Sequence, residues 1–112
     1  MSDRITNAER RRRILHQEIL DFTGHPAYFQ PPSTPNKAIL TYPCTVYNLD
    51  AMPVNQADDM NYTVIRRYQI TYITKDPADP LIDEFLEHFR NISFNRHFTS
   101  DNLNHYIYSI LY

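Results

Sequence analysis

The segment SFNRHFTSDNLNHYIYSILY, residues 93–112, holds two histidines and an aspartate whose spacing suggests a metal site. If a turn is centred on residues 100–102, His97 lies opposite His105, with Cβ atoms about 5 Å apart. A structural zinc site needs four ligands and a catalytic one usually three, and Asp101 is the only nearby carboxylate. At a turn tip that carboxylate is better placed to bond its own backbone. We therefore expect packed histidines, with no metal and no other cofactor.

Nucleophilic catalysis has few candidates in this chain. Cys44 is the only cysteine, and its place in an apolar strand pattern is typical of a small buried residue rather than a nucleophile. The five histidines are candidate bases, but no serine or cysteine stands in a recognisable nucleophile turn. Gly24 is the only glycine, which excludes glycine-rich phosphate loops. We expect no catalytic residue and no enzymatic activity.

The run Arg10-Arg11-Arg12-Arg13 could bind nucleic acid or a protein partner. Consecutive arginines on a helix point to all sides, and residues 1–24 also carry four acidic residues, so no single basic face forms. Arginine is favoured in protein interfaces because its planar guanidinium pairs with carboxylates through two hydrogen bonds. We therefore predict an interface between this run and acidic residues of a neighbouring subunit, namely Asp50, Asp58 and Asp59.

The composition indicates one globular domain over residues 1–112. Hydrophobic residues make up 42% and charged residues 21% of the chain, as in folded rather than disordered proteins. A net charge of -2 gives no general attraction to nucleic acid or to anionic membranes. No apolar run approaches the roughly 20 residues of a membrane span, and the N-terminus lacks the apolar stretch of a secretory signal. We expect synthesis in the cytoplasm and no membrane partner.

The N-terminal region, residues 1–24, is predicted to be a helix. Thr6 and Glu9 have the spacing of a capping box, and Gly24 is placed to end the helix. Between about residues 7 and 22, apolar residues recur on one stripe: Ala8, Leu15, Ile19 and Phe22. Residues 25–37 carry four prolines and are predicted to form an extended connector without regular structure.

Residues 38–112 are predicted to form a mainly antiparallel sheet with a second helix. Strands are expected at 38–49, at 61–74 and in the terminal hairpin, with Pro43 favouring an edge strand or a late start. The polar segment 50–61 is a candidate protruding arm. A short helix over about residues 80–89 should begin at Asp79-Pro80. The fold class is therefore α+β, with both helices packed on a small sheet.

Three short motifs follow one another in this part of the chain. They are Tyr42-Pro43 at a strand start, the stretch from Tyr68-Gln69 to Asp76-Pro77 before a helix, and the turn Asp101-Asn102-Leu103-Asn104-His105. Together they resemble the small tail terminator or tail completion proteins of long-tailed bacteriophages. The resemblance covers roughly residues 38–112, and its last motif is the most specific. The arginine run is not part of it.

The resemblance implies a structural virion protein that forms a ring, expected to be a hexamer, at the head-proximal end of a tail tube. Its implied partners are further copies of itself, the tail tube protein and a neck or head-completion protein, with DNA passing through the lumen without sequence-specific binding. Assembly would take place in the host cytoplasm, and the protein would end in the tail or neck. The motif residues with an implied structural role are Tyr42, Pro43, Asp101, Asn102, Leu103 and His105.

Two alternatives stay open at this point. A neck stopper or adaptor between portal and tail would share much of the same sequence pattern. A nucleic-acid-binding module would instead use the Arg10–Arg13 run, and its affinity should fall steeply with salt.

Overall fold

The structure, a computed structural model, describes residues 5–30, 41–52, 54–57 and 61–112, with the backbone alone at 54–57 and 61–64. Two helices and a mostly antiparallel sheet form an α+β fold, as predicted. In chain order the elements are α1 Asn7–Thr23, β1 Ala27–Phe29, β2 Cys44–Ala51, β3 Val54–Ala57, β4 Asn61–Val64, β5 Arg67–Thr74, α2 Leu81–His88, β6 Ile92–Ser100 and β7 Leu103–Leu111.

Five strands form the main sheet, in the order β1-β2-β5-β7-β6. All neighbours are antiparallel except β1, which runs parallel to β2. Both helices pack on the same face of this sheet, where Phe22 of α1 meets Phe85 of α2 with ring centroids 5.3 Å apart. Strands β3 and β4 form a separate two-stranded sheet. Strand β6 is therefore one edge of the main sheet and β1 is the other.

Helix α1 has the ends that its sequence predicts. The Thr6 hydroxyl accepts a hydrogen bond of 3.1 Å from the Glu9 backbone N–H, which satisfies a helix-start donor. Gly24 has φ +70° and its N–H donates to the Leu20 carbonyl, which is the left-handed ending that glycine favours. In a capping box the Glu9 carboxylate would accept a hydrogen bond from the Thr6 N–H. Here it contacts arginine side chains instead. Leu15 and Ile19 are fully buried under this helix.

Four buried tyrosines form the centre of the core between helices and sheet. Each is at most 1% exposed, and each hydroxyl has a hydrogen-bond partner, as buried polar groups require. Exposure alternates along β5 from Arg67 to Tyr72, as the strand sequence predicts, with Tyr68, Ile70 and Tyr72 buried on the core side, whereas the last two residues, 73 and 74, are both buried. The hydroxyls of Tyr47, Tyr68, Tyr72 and Tyr108 bond Arg12, Arg66, Asp79 and the Ile82 carbonyl, respectively.

Helix α2 is set in place by Asp79 and Phe85. One Asp79 carboxylate oxygen accepts from the Leu81 N–H at 3.0 Å, and the other accepts from the Tyr72 and Thr74 hydroxyls at 2.6 and 3.1 Å. The capping role predicted for this aspartate is thus present, and the same carboxylate also joins the helix start to β5. Phe85 of this helix is fully buried, and Phe89, which directly follows the helix, is nearly so.

Three element predictions need correction. Residues 27–29 lie in the predicted connector but form β1, because a short extended segment can pair with the start of β2 without a periodic pattern of its own. The predicted strand 61–74 is divided at residues 65–66, since β4 pairs with β3 and β5 pairs with β2. The predicted polar loop 50–61 holds β3 and the end of β2. The remainder of the predicted connector, residues 31–37, lies outside the described residues.

Pro43 predicted either an edge strand or a late strand start, and β2 has the late start. The Tyr42–Pro43 peptide bond is cis, and the strand starts immediately afterwards at Cys44. Strand β2 lies between β1 and β5, so it is not an edge strand. Residues 38–40 of the predicted strand lie outside the described residues.

Candidate functional site

The terminal hairpin closes through a two-residue turn at Asp101-Asn102. Both residues have positive φ, 53° and 63°, as in the tight turns that match the twist of antiparallel strands. The pairing is therefore Ser100 with Leu103, whereas a three-residue turn was predicted. This one-residue difference changes the neighbours of both histidines. His97 pairs with Tyr106 and His105 pairs with Phe98, so the predicted His97–His105 pair is wrong.

Each histidine of the hairpin stacks on an aromatic ring instead. The His97 and Tyr106 rings are stacked with centroids 4.5 Å apart, as are those of His105 and Phe98. Because Tyr106 faces the helices and its neighbour His105 faces the other way, the two imidazoles lie on opposite faces of the sheet. Among the described residues, no three His, Cys, Asp or Glu side chains come close enough together to hold a metal ion.

Replacing His97 or His105 with Gln is expected to leave the purified protein folded and its metal content unchanged. Each imidazole faces an aromatic partner rather than a second ligand, and a zinc site needs at least three protein ligands. Elemental analysis and circular dichroism before and after chelation would test this. Stoichiometric zinc whose removal unfolds the protein would contradict it.

The motif residues meet at one end of the sheet. Cys44, which follows Tyr42-Pro43, pairs with Ile73 at the end of β5, and Ile73 pairs with His105 at the start of β7. The Asn104 amide also donates to the carbonyls of Thr74 and Lys75, both at 3.4 Å. Three segments that are far apart in sequence thus come together here. We call this the turn end of the sheet, defined by Tyr42, Pro43, Asp101, Asn102, Leu103 and His105.

The turn end exposes aromatic surface beside a carboxylate. Tyr42 is 37% exposed and Phe98 is 40% exposed, which is high for aromatic side chains. The pKa of Tyr42 is raised chiefly by partial burial and to a smaller extent by the Cys44 and Asp101 side chains. This surface combines an apolar contact area with a negative charge.

The four arginines of the run point to different sides of α1, as predicted. Arg12 points inward, with its guanidinium 4.4 Å from the centre of the Phe29 ring and its side chain 15% exposed. Arg13 is 59% exposed and lies 3.7 Å from the Glu9 carboxylate. Arg10 donates to the Asn7 side chain, and Arg11 donates to the main-chain oxygen of Tyr112. Arg12 therefore works within its own subunit, and it is Arg10 and Arg13 that the structure leaves most accessible to a partner.

The Glu9 carboxylate gathers three arginines at the start of α1. It bonds Arg12 at 2.6 Å and lies 3.7 Å from Arg13 and 3.5 Å from Arg66. The hydrogen bond from Arg12, helped by the charges of all three, lowers the pKa of Glu9 below its ordinary value. The arrangement ties the helix to the segment between β4 and β5. Its role is structural, since the carboxylate is bound by side chains of its own chain.

His16 and Tyr47 form the interior part of this network. Arg12 donates to the Tyr47 hydroxyl oxygen at 3.1 Å, so the hydroxyl hydrogen is available to the His16 Nδ1, which lies 2.6 Å away. The neutral imidazole accepts that hydrogen at Nδ1 and carries its own proton at Nε2. Burial, and secondly the charge of Arg12, lower the pKa of His16. His16 is therefore held in its neutral form.

The stability of the fold is expected to fall as the pH is lowered through the range just below 6.5. The pKa of His16 is depressed in the folded chain, so the unfolded chain binds this proton first, and protonation favours unfolding. His16→Asn keeps an acceptor near the Nδ1 position but does not titrate. Urea unfolding of both proteins between pH 5 and pH 7.5 should show a smaller pH dependence for the variant. Parallel curves would contradict this account of His16.

The predicted acidic partners have different positions in the structure. Asp50 forms a salt bridge of 3.0 Å with Arg67 of its own chain. Asp58 and Asp59 lie outside the described residues, so their contact with the arginine run stays a prediction.

A groove of about 700 Å³ lies at the opposite end of the sheet from the turn end. Its apolar lining includes Ile14, Phe89 and Leu111, with Ile14 59% exposed. Glu18 within it is already bound, because it accepts from the Tyr112 hydroxyl at 3.0 Å and lies 3.0 Å from the His88 ring. The basic residues on its lining are Arg11, His88 and Arg90. The groove is thus an apolar surface whose lining carries both basic residues and the Glu18 carboxylate.

Strand β6 exposes more surface than any other strand whose side chains are described. Its first residue is partly buried, and residues 93–100 are all exposed. Phe94 on this strand is 44% exposed, and a bulge at Asn95 shifts the pairing with β7. Nothing in the described part of the chain pairs with the outer edge of this strand.

Cys44 is fully buried, as its sequence position predicted. Burial raises the pKa of its thiol to about 11, so the reactive thiolate is scarce at neutral pH. In the described part of the chain, no helix combines the length and the apolar composition needed to cross a bilayer.

Comparison of the chain with protein-family models, with curated proteins and with solved structures found no match.

The sequence analysis did not identify Arg66 or the groove. Arg66 follows a strand in sequence and reaches Glu9 only after β5 packs under α1. A partial signal was available in the last residues of the chain, since the aromatic Tyr112 follows a buried strand and its hydroxyl needs a polar partner, which Glu18 supplies.

Proposed function

We propose that this chain is a structural virion protein that closes the head-proximal end of a phage tail tube as a ring and joins the tail to the head or neck. Beside the motif resemblance, one structural observation supports this role: β6 is an exposed edge strand of nine residues. Long uncovered edges are avoided in monomeric proteins, because their unpaired N–H and C=O groups attract another chain. We infer that this edge belongs to a surface of contact with another subunit or partner.

The details of β6 favour a ring over a two-fold dimer. The bulge at Asn95 places Phe94 toward the helices, against Tyr108, and Phe98 on the other face, against His105. An antiparallel pairing of β6 with its own copy, centred on the strand, would oppose Arg96 to Arg96. The same pairing would place Phe94 of one copy opposite Phe98 of the other, although these two side chains point to different faces of the sheet. Like charges directly opposite each other are destabilising, so a contact between two different surfaces is preferred. Such contacts form a ring when the rotation between subunits closes.

A terminating ring needs surfaces rather than chemistry. A tail tube grows by adding identical rings, so the last one must bind the tube without offering the surface that recruits the next. The buried tyrosines and the buried cysteine belong to the core. Burial raises the pKa of Tyr47, Tyr72 and Tyr108, so these hydroxyls stay neutral and serve the core. Cys44 is likewise held as a thiol.

Electron microscopy of particles made without this chain tests the proposed function. We expect filled heads that are not attached to tails, together with tails of uncontrolled length, because nothing stops the tube from polymerising. Joined tails of the usual length would reject the proposal. Tails of normal length beside unattached heads would favour the alternative, a neck stopper between portal and tail.

A further inference from the structure

The first half of α1 has an exposed basic face. Arg10, Arg13 and Ile14 are spaced i, i+3 and i+4, so they are neighbours on the helix surface, and all three are exposed. The nearby Glu9 carboxylate is bound by Arg12 at 2.6 Å and lies farther, 3.7 Å, from Arg13. The apolar Ile14, 59% exposed, thus lies beside two guanidinium groups that remain accessible. We call these three residues the basic face of α1.

The outer side of α2 has the complementary pattern. Asp83, Leu86 and Glu87 have the same i, i+3, i+4 spacing, and all three are exposed, with Leu86 at 41%. Neither carboxylate forms an ion pair with a residue that the structure describes. The lysine and the arginine nearest in sequence, Lys75 and Arg90, lie beyond the two ends of the helix. We call Asp83, Leu86 and Glu87 the acidic face of α2.

The two helices lie near opposite edges of the main sheet. Helix α1 lies against β1, where the Arg12 guanidinium is 4.4 Å from the centre of the Phe29 ring, and α2 lies against β6. Strands β1 and β6 are the two edges of this sheet. Among the described residues, no ion pair joins the basic face to the acidic face of the same chain. A second chain that meets the exposed edge of β6 therefore comes close to the carboxylates of α2.

We propose, building on the ring proposed above, that the basic face of α1 in one copy docks against the acidic face of α2 in a second copy of this chain. Arginine pairs with carboxylates through two parallel hydrogen bonds, and contact between Ile14 and Leu86 excludes water from these pairs. Each subunit uses α1 on one neighbour and α2 on the other. Such a head-to-tail contact forms a ring when the rotation between subunits closes.

The docking divides the arginine run between two tasks. Arg12 holds its own subunit together, whereas Arg10 and Arg13 meet the neighbour. Their acidic partners are then on α2 rather than at Asp50, which already pairs with Arg67 of its own chain. Because two basic faces or two acidic faces repel each other, the same charges also select against a contact between identical faces.

Cross-linking between engineered cysteines tests which faces meet in assembled particles. Ile14→Cys and Leu86→Cys replace exposed side chains, so the core keeps its packing. Cys44 gives little background, because it is fully buried. With a short bis-maleimide linker, the double variant should give a ladder of covalent species larger than a dimer. Each single variant should stay monomeric, because its thiol meets a face that has none.

Charge reversal in the double-cysteine background tests the complementarity of the two faces. Arg10→Glu together with Arg13→Glu should reduce the ladder at least about tenfold, the effect of losing roughly 1.4 kcal/mol of contact energy. Asp83→Lys together with Glu87→Lys should reduce it by a similar factor. Reversal of both faces should restore most of the ladder, because the opposite charges then meet again. Circular dichroism of each variant confirms that the fold is retained.

Asp76→Lys is the matched control for Asp83→Lys. Asp76 is exposed and lies in the turn before α2, so its substitution makes the same change of charge outside the acidic face. We expect Asp76→Lys to leave most of the ladder, whereas Asp83→Lys alone should already weaken it. Equal losses would mean that net charge, rather than this face, determines the contact, and would overturn the docking.

The outcomes distinguish this contact from the proposed function. A ladder that either reversal removes and the combined reversal restores supports the docking. Losses that add when both faces are reversed would mean that the faces do not touch. A double-cysteine variant that gives dimers only would mean a two-fold pair, which also overturns the head-to-tail docking. If the chain is present in particles as a ring but gives no ladder, the docking is wrong and the ring proposal stands. If the chain is absent from particles, both are overturned.

Discussion

Replacing Phe85 with Ala is expected to lower the free energy of unfolding by about 4 kcal/mol, which is the usual cost of removing a buried phenylalanine. Phe85 is fully buried, and its ring contacts those of Phe22, Tyr72 and Tyr108 at centroid distances of 5.3, 5.4 and 5.1 Å. The cavity would open where α1, α2 and the sheet meet. Since domains of this size have total stabilities of about 5–15 kcal/mol, the variant would be marginal.

Leu86→Ala is the matched control for this substitution. Leu86 is the next residue of the same helix and is 41% exposed, so its loss should cost less than about 1 kcal/mol. Urea unfolding followed by circular dichroism measures both variants. Equal losses of stability would mean that the core is not centred on Phe85.

Replacing Asp79 with Ala is expected to lower the free energy of unfolding by about 3 kcal/mol, because several hydrogen bonds to one carboxylate are lost together. The carboxylate accepts from the Leu81 N–H and from the Tyr72 and Thr74 hydroxyls. Without it, the buried Tyr72 hydroxyl loses its partner and the Leu81 N–H at the start of α2 loses its acceptor. The detachment of α2 should be visible as faster hydrogen exchange at Phe85 and its neighbours.

Asp76→Ala is the control for the aspartate. Asp76 lies in the same turn and is exposed, and its carboxylate accepts only from the Ala78 N–H among the described residues, at 2.9 Å. We expect a loss below about 1 kcal/mol, as for an exposed local hydrogen bond. If the two alanine variants lost equal stability, the link between α2 and β5 through Asp79 would be contradicted.

The elements that sequence predicted well are those whose signals are local. The start and end of α1 follow from Thr6 and Gly24, which act on backbone groups within a few residues. The helix after Asp79 and the alternation of β5 follow in the same way from short-range spacing. These features depend on periodicity and capping, so a single sequence is sufficient to find them.

The elements that sequence missed depend on contacts between distant segments. Strand β1 is defined by its pairing with β2, 18 residues further along the chain, and three residues are too few for a periodic pattern. The histidine register was wrong because Asp101-Asn102 forms a two-residue turn, and one residue reverses which face a strand side chain occupies.

The candidate interface shows the same division between features set by local sequence and features set by contacts between distant segments. Helical geometry alone predicts that the arginine run points to several sides. The pair of Arg12 with Glu9, three residues earlier on the same helix, follows from helical spacing. The bond of Arg12 to Tyr47 depends on where β2 lies under α1, which no pattern in the run indicates. The groove is likewise assembled from α1, the end of α2 and the end of β7. The motif residues were recognisable in sequence, but their convergence at one end of the sheet is a result of strand order.

Locating the chain in an assembled particle tests the proposed role most directly. A small epitope or gold-binding tag attached at the N-terminus would mark its position in electron micrographs of intact virions. We expect the label as a ring at the junction between tail and head, on the last ring of the tube. A label at the distal tip of the tail, along its whole length, or inside the head would contradict the proposed function.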